Sequence, residues 1–291
     1  MSGAAPRPGG RARRRAGLTI GGLIGAGLLA VVLGLVVLAP FVSPFDPTEQ
    51  ALRDRLLPPA WLDGGSTAHP LGTDANGRDL LARILFGGRL SLVIALGTVA
   101  IGAAIGVTAG IVAGLRGGWL AAVLGRLADI QQSIPFVILA LAVVAVAGAS
   151  VVNLVLVLGI GSWFAWFRVV RGEVLALRER PFIEAARAMG AGDGWITRGH
   201  LLPNLLPSLI TVATLWIPQA IVYTAGLTFL GLGVPPPTPE WGRLIADGTD
   251  SIGSAWWLAL LPSAALLLTV AGLTLAGDWL RDWLDPVRRM A

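Results

Sequence analysis

Residues 90–114 read LSLVIALGTVAIGAAIGVTAGIVAG, a run with no Asp, Glu, Lys or Arg. At about 1.5 Å per helical residue, such a run crosses the roughly 30 Å hydrocarbon layer of a bilayer. Gly102, Gly106, Gly110 and Gly114 follow one another at intervals of four. That interval lines them on one helix face, where the missing side chains let a second backbone come close. The stretch therefore predicts a membrane span with a packing face, not a helix bathed in lipid on all sides.

The rest of the chain agrees with this reading. Mean hydropathy is +0.74. Apolar residues make up 55% of the 291 positions and charged residues only 13%, against about a quarter charged in ordinary soluble domains. Five further stretches, 18–42, 130–148, 151–167, 205–233 and 257–277, are also free of Asp, Glu, Lys and Arg. The expected fold is all-α, an integral membrane protein of six transmembrane helices. Pro207 and Pro218 predict a tilt, kink or break in the fifth span.

Orientation follows from the basic residues. All 22 are Arg. With both termini in the cytoplasm, 16 Arg fall in segments 1–17, 115–129, 168–204 and 278–291, and six in segments 43–89 and 234–256. This is the positive-inside bias, and it orients the chain as a multi-pass membrane protein with both termini inside. The basic stretch before residue 18 resembles the start of a signal peptide. The apolar run behind it is longer than the roughly 7–15 residues of a cleavable core, so it reads as an uncleaved first span. The organisation expected is a basic cytoplasmic N-terminus (1–17), a first span (18–42), an external segment (43–89), a transmembrane core (90–277) holding a cytoplasmic loop at 172–204, and a cytoplasmic C-terminus (278–291).

The external segment contains HPLGTDANGRDLLARILFGGRLSL, residues 69–92. Thr73 or Asp74 is a fair cap for an amphipathic helix with Leu80, Leu81, Ile84 and Leu85 on one side and Arg78, Asp79 and Arg83 on the other. Such a helix would lie at the membrane surface. Around the second external loop, Trp241, Trp256 and Trp257 suit the lipid–water interface. At the mouth of the third span, Arg126 and Asp129 stand three apart and can pair.

The composition excludes several chemistries. There is no Cys, hence no disulfide, thiolate metal site or cysteine nucleophile. There is no Lys, hence no P-loop lysine for ATP and no Schiff base. His69 and His200 stand alone, and no metal is expected. GLIGAG at 22–27 lies inside a span rather than between a strand and a helix, so it is not a dinucleotide site. Nor is nucleic acid expected as a partner: the net charge of +5 is the arginine excess of membrane loops. An enzyme is not expected. Polar or aromatic side chains in or beside the spans include Gln131, Gln132, Asn153, Trp163, Trp166, Gln219, Tyr223 and Thr224. Each is either a helix–helix or interface residue or part of a translocation path, for which Gln132, Asn153, Trp166, Gln219, Tyr223 and Thr224 are the candidates. The chain thus reads as a membrane passage with no energy source of its own, either passive or driven from outside.

Residues 181–204, PFIEAARAMGAGDGWITRGHLLPN, bear on that choice. Pro181 fits the first turn of a helix. Gly190 can take positive φ and end it. Asp193 is a fair N-cap for a second short helix over 194–202, which Pro203 and Asn204 would stop. A helix–turn–helix with small residues on one side and Glu184, Arg187 and Arg198 available for contact suits docking into a partner's groove.

EAARAMG…HLLPN resembles the EAA motif of ABC-importer permease subunits. HPLGTDANGRDLLARILFGGRLSL, FLGLGVPPPTPEWGRLIADG and GDWLRDWLDP resemble blocks of the C-type permeases of dipeptide, oligopeptide and nickel importers, so that the likeness runs over about residues 69–286. The resemblance implies the type I importer permease fold, in a bacterial plasma (inner) membrane. It also implies a second permease subunit, two cytoplasmic ATPase subunits carrying ATP and Mg, and an external substrate-binding protein; this chain itself would bind no cofactor. By the same resemblance Glu184, Ala185, Ala186 and Gly190 fall on coupling positions that dock the ATPase, flanked by Arg187 and Asp193. The family commonly has Glu where this chain has Thr224, and often Asn where it has Thr274. A peptide is the expected cargo, with nickel or another small solute as the alternative and a passive channel or scaffold as the rival of a different class.

Overall fold

The computed structural model describes residues 20–284. The expected N-terminal segment 1–17, the start of the first span and the end of the C-terminal tail lie outside them. The described residues are helical throughout, joined by turns and one long irregular segment.

Helix α1 (Ile20–Val37) is followed by a single turn, α2 (Ala39–Val42). α1 lies along the last helix, and small residues set the distance: a Cβ on Gly25 would sit 2.7 Å from Leu275 Cβ, and one on Gly22 2.6 Å from Trp279. The last carbonyls of α1 lack intrahelical donors. Arg89 supplies them, with Nε to Val36 O and Nη2 to Val37 O, both 2.9 Å.

Helix α3 (Leu80–Arg116) carries the opening stretch of the sequence. Its 37 residues make a rod about 55 Å long. The helix expected at the membrane surface does not form separately. Asp79, not Thr73 or Asp74, caps α3 by accepting Ala82 N–H at 2.6 Å, and the helix runs unbroken into the span. Asp74 instead closes the turn ahead of it, accepting from the backbone N–H of Asn76 and Arg78 at 2.8 and 3.0 Å, with Gly77 at φ +74. Arg78, Asp79 and Arg83, expected on a wet face, are buried.

The third expected span is broken. α4 (Gly118–Ser133) and α5 (Phe136–Ala147) meet at 90°. Pro135 forces the preceding residue out of the helical region, and Ile134 sits at φ −96, ψ 128. Asp129 pairs across to Arg168 at 2.6 Å rather than with Arg126.

Helix α6 (Val151–Leu177) runs ten residues past the apolar stretch 151–167. It packs on α3 along the glycine face. A Cβ on Gly106 would meet Trp166 Cβ at 2.5 Å, on Gly110 Val170 Cβ at 2.8 Å, and on Gly114 Val174 Cγ1 at 2.6 Å. Gly159 answers from α6, where a Cβ would meet Ile101 Cβ at 2.7 Å.

After two short elements, α7 (Pro181–Ala188) and α8 (Asp193–Ile196), a π-turn (Thr197–Leu201) leads into α9 (Leu202–Phe229). α9 stays helical through Pro207 and Pro218. α10 (Trp241–Thr249) folds back against α3, α9 and α11 (Trp257–Leu284). Trp241 does not face lipid: its side chain is 1% exposed, and its Nε1 donates to Ile84 O at 2.9 Å. Trp257 is buried beside it, while Trp256 is exposed. Among the described residues, five helical segments are long and apolar enough to cross a membrane, and the bent α4–α5 pair makes six when taken as one span.

Candidate functional site

The segment after α6 is built around a small apolar core. Ile183 and Ala186 of α7 turn inward onto Ile196, Leu201 and Leu205, and beyond them onto Val170, Val174 and Ile111. Burial at positions 183 and 186 leaves the other side of the helix outside. There Phe182, Glu184, Ala185, Arg187, Ala188 and Met189 are exposed. The alanines expected to form one docking side are thus divided: Ala186 holds the helix to the body, and Ala185 faces out.

The ends of α7 follow the sequence. Pro181 opens it, behind Arg180 in extended conformation. Gly190, at φ +88, closes it. Ala191 N–H reaches Ala186 O at 3.0 Å and Gly190 N–H reaches Arg187 O at 2.9 Å, the paired bonds of a Schellman cap. Arg178, just before α7, donates Nη1 to Gly114 O at 3.1 Å, so the segment is tied to the far end of α3.

The second arm differs from expectation. Gly192, not Asp193, occupies the N-cap position, and Asp193 is an exposed first-turn residue. Pro203 does not stop the helix. In the π-turn ahead of it, Leu202 N–H reaches Thr197 O, five residues back. The extra residue carries the ladder past a proline that has no N–H to give. Asn204, expected as part of the stop, turns its side-chain amide back onto His200 O at 2.7 Å. The chain from Asp193 to Phe229 is therefore one continuous helical segment.

An aromatic cluster missed in the sequence joins the two arms. His200 lies 5.7 Å from the Phe182 ring and 4.9 Å from the Trp195 ring, centroid to centroid. Eighteen residues separate Phe182 from His200, so no periodicity could pair them. Nearby, Ser208 Oγ of α9 donates to the Glu173 carboxylate of α6.

The candidates for a path do not converge. Asn153 donates to Ala147 O and Gly148 O at 2.8 and 3.0 Å and so closes the end of α5. Trp166 fills the seam between α3, α6 and α9 with Val99 and Val212. Tyr223 packs on Phe136 at 5.0 Å. Thr224 is buried, and Gln132 is exposed on α4. Gln131 bridges Trp163 Nε1 and Gly161 O. Gln219 lines a cleft, a space of about 240 Å³ between α9 and α11 that also takes in Thr214, Thr274 and Asp278.

A chain of packed apolar helices, five or six of them long and apolar enough to cross a membrane among the described residues, is the architecture of a membrane permease. The chain belongs to the family described as the inner membrane component of binding-protein-dependent transport systems, which it matches over residues 106–290. Residues 21–59 match the N-terminal transmembrane domain of oligopeptide transport permease C. Among relatives, the di/tripeptide transport system permease protein of Pseudomonas aeruginosa is 43% identical, over 92% of this chain and 87% of that one. The dipeptide transport system permease protein of Escherichia coli is 42% identical, over 91% and 89%. The glutathione transport system permease protein of Pectobacterium atrosepticum is 39% identical, over 90% and 86%. Among solved structures, an inward-facing methionine ABC transporter contains a chain that superimposes with a TM-score of 0.54 at 25% identity, covering 69% of this chain and 96% of that one.

Proposed function

We propose that this chain is the permease subunit of an ATP-driven importer of short peptides and that residues 181–204 receive its energy. The observation that carries the proposal is the outward face of α7, with Phe182, Glu184, Ala185, Arg187 and Met189 exposed on a helix whose other side is anchored to the transmembrane core. The names of the relatives support a peptide cargo. The absence of Lys from the chain supports a separate ATPase, which would carry ATP and Mg. A second permease subunit, a pair of ATPases and an external binding protein complete the assembly. Closing of the ATPase pair on ATP moves the coupling segments and turns the permease halves from inward- to outward-facing, and hydrolysis allows the return. The arginine distribution supports cytoplasmic termini. Glu184→Lys presents the wrong sign to the ATPase while leaving the anchored side intact. ATPase activity stimulated by the loaded binding protein, measured on the reconstituted complex, is expected to fall at least tenfold; unchanged stimulation would mean that α7 does not couple.

A further inference from the structure

The cleft of about 240 Å³ between α9 and α11 lies at membrane depth. Gly277 of α11 is pressed against α9, where a Cβ would meet Thr214 Cβ at 2.9 Å. Thr214 is nine residues inside the charge-free run 205–233, about 14 Å from its nearer end. Across α11, Trp279 packs on Gly22. Gly22 is four residues inside the charge-free run 18–42, about 6 Å from its nearer end. Asp278 stands between these two contacts, exposed and in the lining of the cleft. It follows directly on the apolar run of its own helix, so hydropathy puts it at the surface, whereas its neighbours put it inside. No ion pair or hydrogen bond holds Asp278 among the described residues, Arg281 one turn further on included. The other polar groups of the lining leave acceptors free. Thr214 and Thr274 donate their hydroxyl protons to Thr211 O and Val270 O of their own helices, both at 2.8 Å, so each oxygen keeps a lone pair. On α11, the exposed residues Leu260, Leu267, Thr274 and Asp278 recur at intervals of seven, seven and four, which keep to one side of a helix. That stripe is apolar in one half and polar in the other, which contact with lipid along its whole length does not explain.

We propose that this cleft is a wall of a water-filled passage and that Asp278 sets the sign of that wall, favouring cationic over anionic solutes. An ionised carboxylate is costly against hydrocarbon and is tolerated at such depth where it lines water. Acceptor oxygens around one carboxylate attract cations and repel anions, and low-dielectric walls focus that field. The charge-free runs predict a passage without charge; Asp278 gives it one. That cargo moves along this wall rests on the importer reading above; the wetness and sign of the wall do not.

The test uses the chain purified with its partner subunits in nanodiscs. The chain has no Cys, so an introduced thiol reports its own surroundings through the mass of this chain. Gln219→Cys and Thr274→Cys place a thiol in the cleft. Ile24→Cys is the control: Ile24 is exposed on α1, between the glycines that pack on α11 at the same depth. Each variant is treated with a trimethylammonium-ethyl and with a sulfonatoethyl methanethiosulfonate. The reacting species is the thiolate, which forms in water and not in lipid, so the cleft thiols are expected to react with the cationic reagent about tenfold faster than the control. Asp278→Asn is expected to lower the ratio of cationic to anionic rates at Gln219→Cys about tenfold, with an unshifted thermal midpoint, and Asp278→Glu to preserve it. Cleft thiols no faster than Ile24→Cys, or a ratio that Asp278→Asn leaves unchanged, overturn the proposal. Binding-protein-stimulated ATPase activity is read in parallel. Stimulation with unreactive cleft thiols removes the wall and leaves the importer, and charge-selective labelling without stimulation does the reverse.

Discussion

Segments 69–92 and 181–204 look alike in sequence. Each breaks an apolar chain with Gly, Pro, acidic residues and Arg, and each leads into a span. Their structures use charge in opposite ways. In the first, Asp74, Arg78, Asp79 and Arg83 are buried, and His69 Nδ1 meets Asp79 Oδ2 at 2.9 Å. In the second, Glu184, Arg187, Asp193 and Arg198 stay exposed, and the segment is held by Ile183, Ala186 and Ile196 instead. Charges engaged with one another stiffen a fold, whereas charges left outside a well-anchored helix are available for the docking proposed above.

Breaking the closed end has the larger effect on stability. Asp74→Ala strips Arg78 and Arg83 of a shared carboxylate and should cost about 3–5 kcal/mol, read as a drop in the unfolding midpoint of the detergent-solubilised protein. Gly190→Pro at the open end forbids the φ of +88 and removes the N–H that reaches Arg187 O. It should cost about 2 kcal/mol locally, appearing as faster proteolysis between 180 and 200 and loss of stimulated ATPase activity. Glu240 sharpens the comparison through pH. Burial pushes its carboxyl above the usual range, against the opposing pull of the Gly242 N–H and Ser91. A carboxyl raised in the folded state contributes stability below its ordinary value of about 4.5 and loses it as pH rises through the folded value. Wild type should therefore lose stability relative to Glu240→Gln as pH is raised from 4 toward 8 in parallel melts. Gly192→Cys should leave stability within about 0.5 kcal/mol. Its thiol should resist an impermeant maleimide added to intact cells, and ready labelling would reverse the orientation.

What could be read from the sequence was local. The glycine interval of four located the α3–α6 seam because one helix face records its partner's distance. Pro181 and Gly190 bounded α7 because each acts on its own φ. The α4–α5 bend escaped because hydropathy continues across Pro135. Arg78 and Arg83 were placed in water because a charged face reads the same whether it meets solvent or carboxylates from distant residues such as Asp247. Pro203 read as a stop because the π-turn that carries the helix past it leaves no compositional mark. The path candidates scattered for a similar reason: polarity in a span says that a partner exists, and Asn153 and Tyr223 found theirs within the subunit.

The continuous helix from Asp193 to Phe229 has a mechanical meaning. Its 37 residues form a lever arm of about 55 Å. The Phe182–His200–Trp195 cluster grips one end, so a tilt of about 10° there sweeps the other end through roughly 10 Å. Under the coupling role proposed for residues 181–204, the turn-to-span junction would act as a gearbox, trading a small angular input at one end of the helix for a displacement of roughly 10 Å at the other.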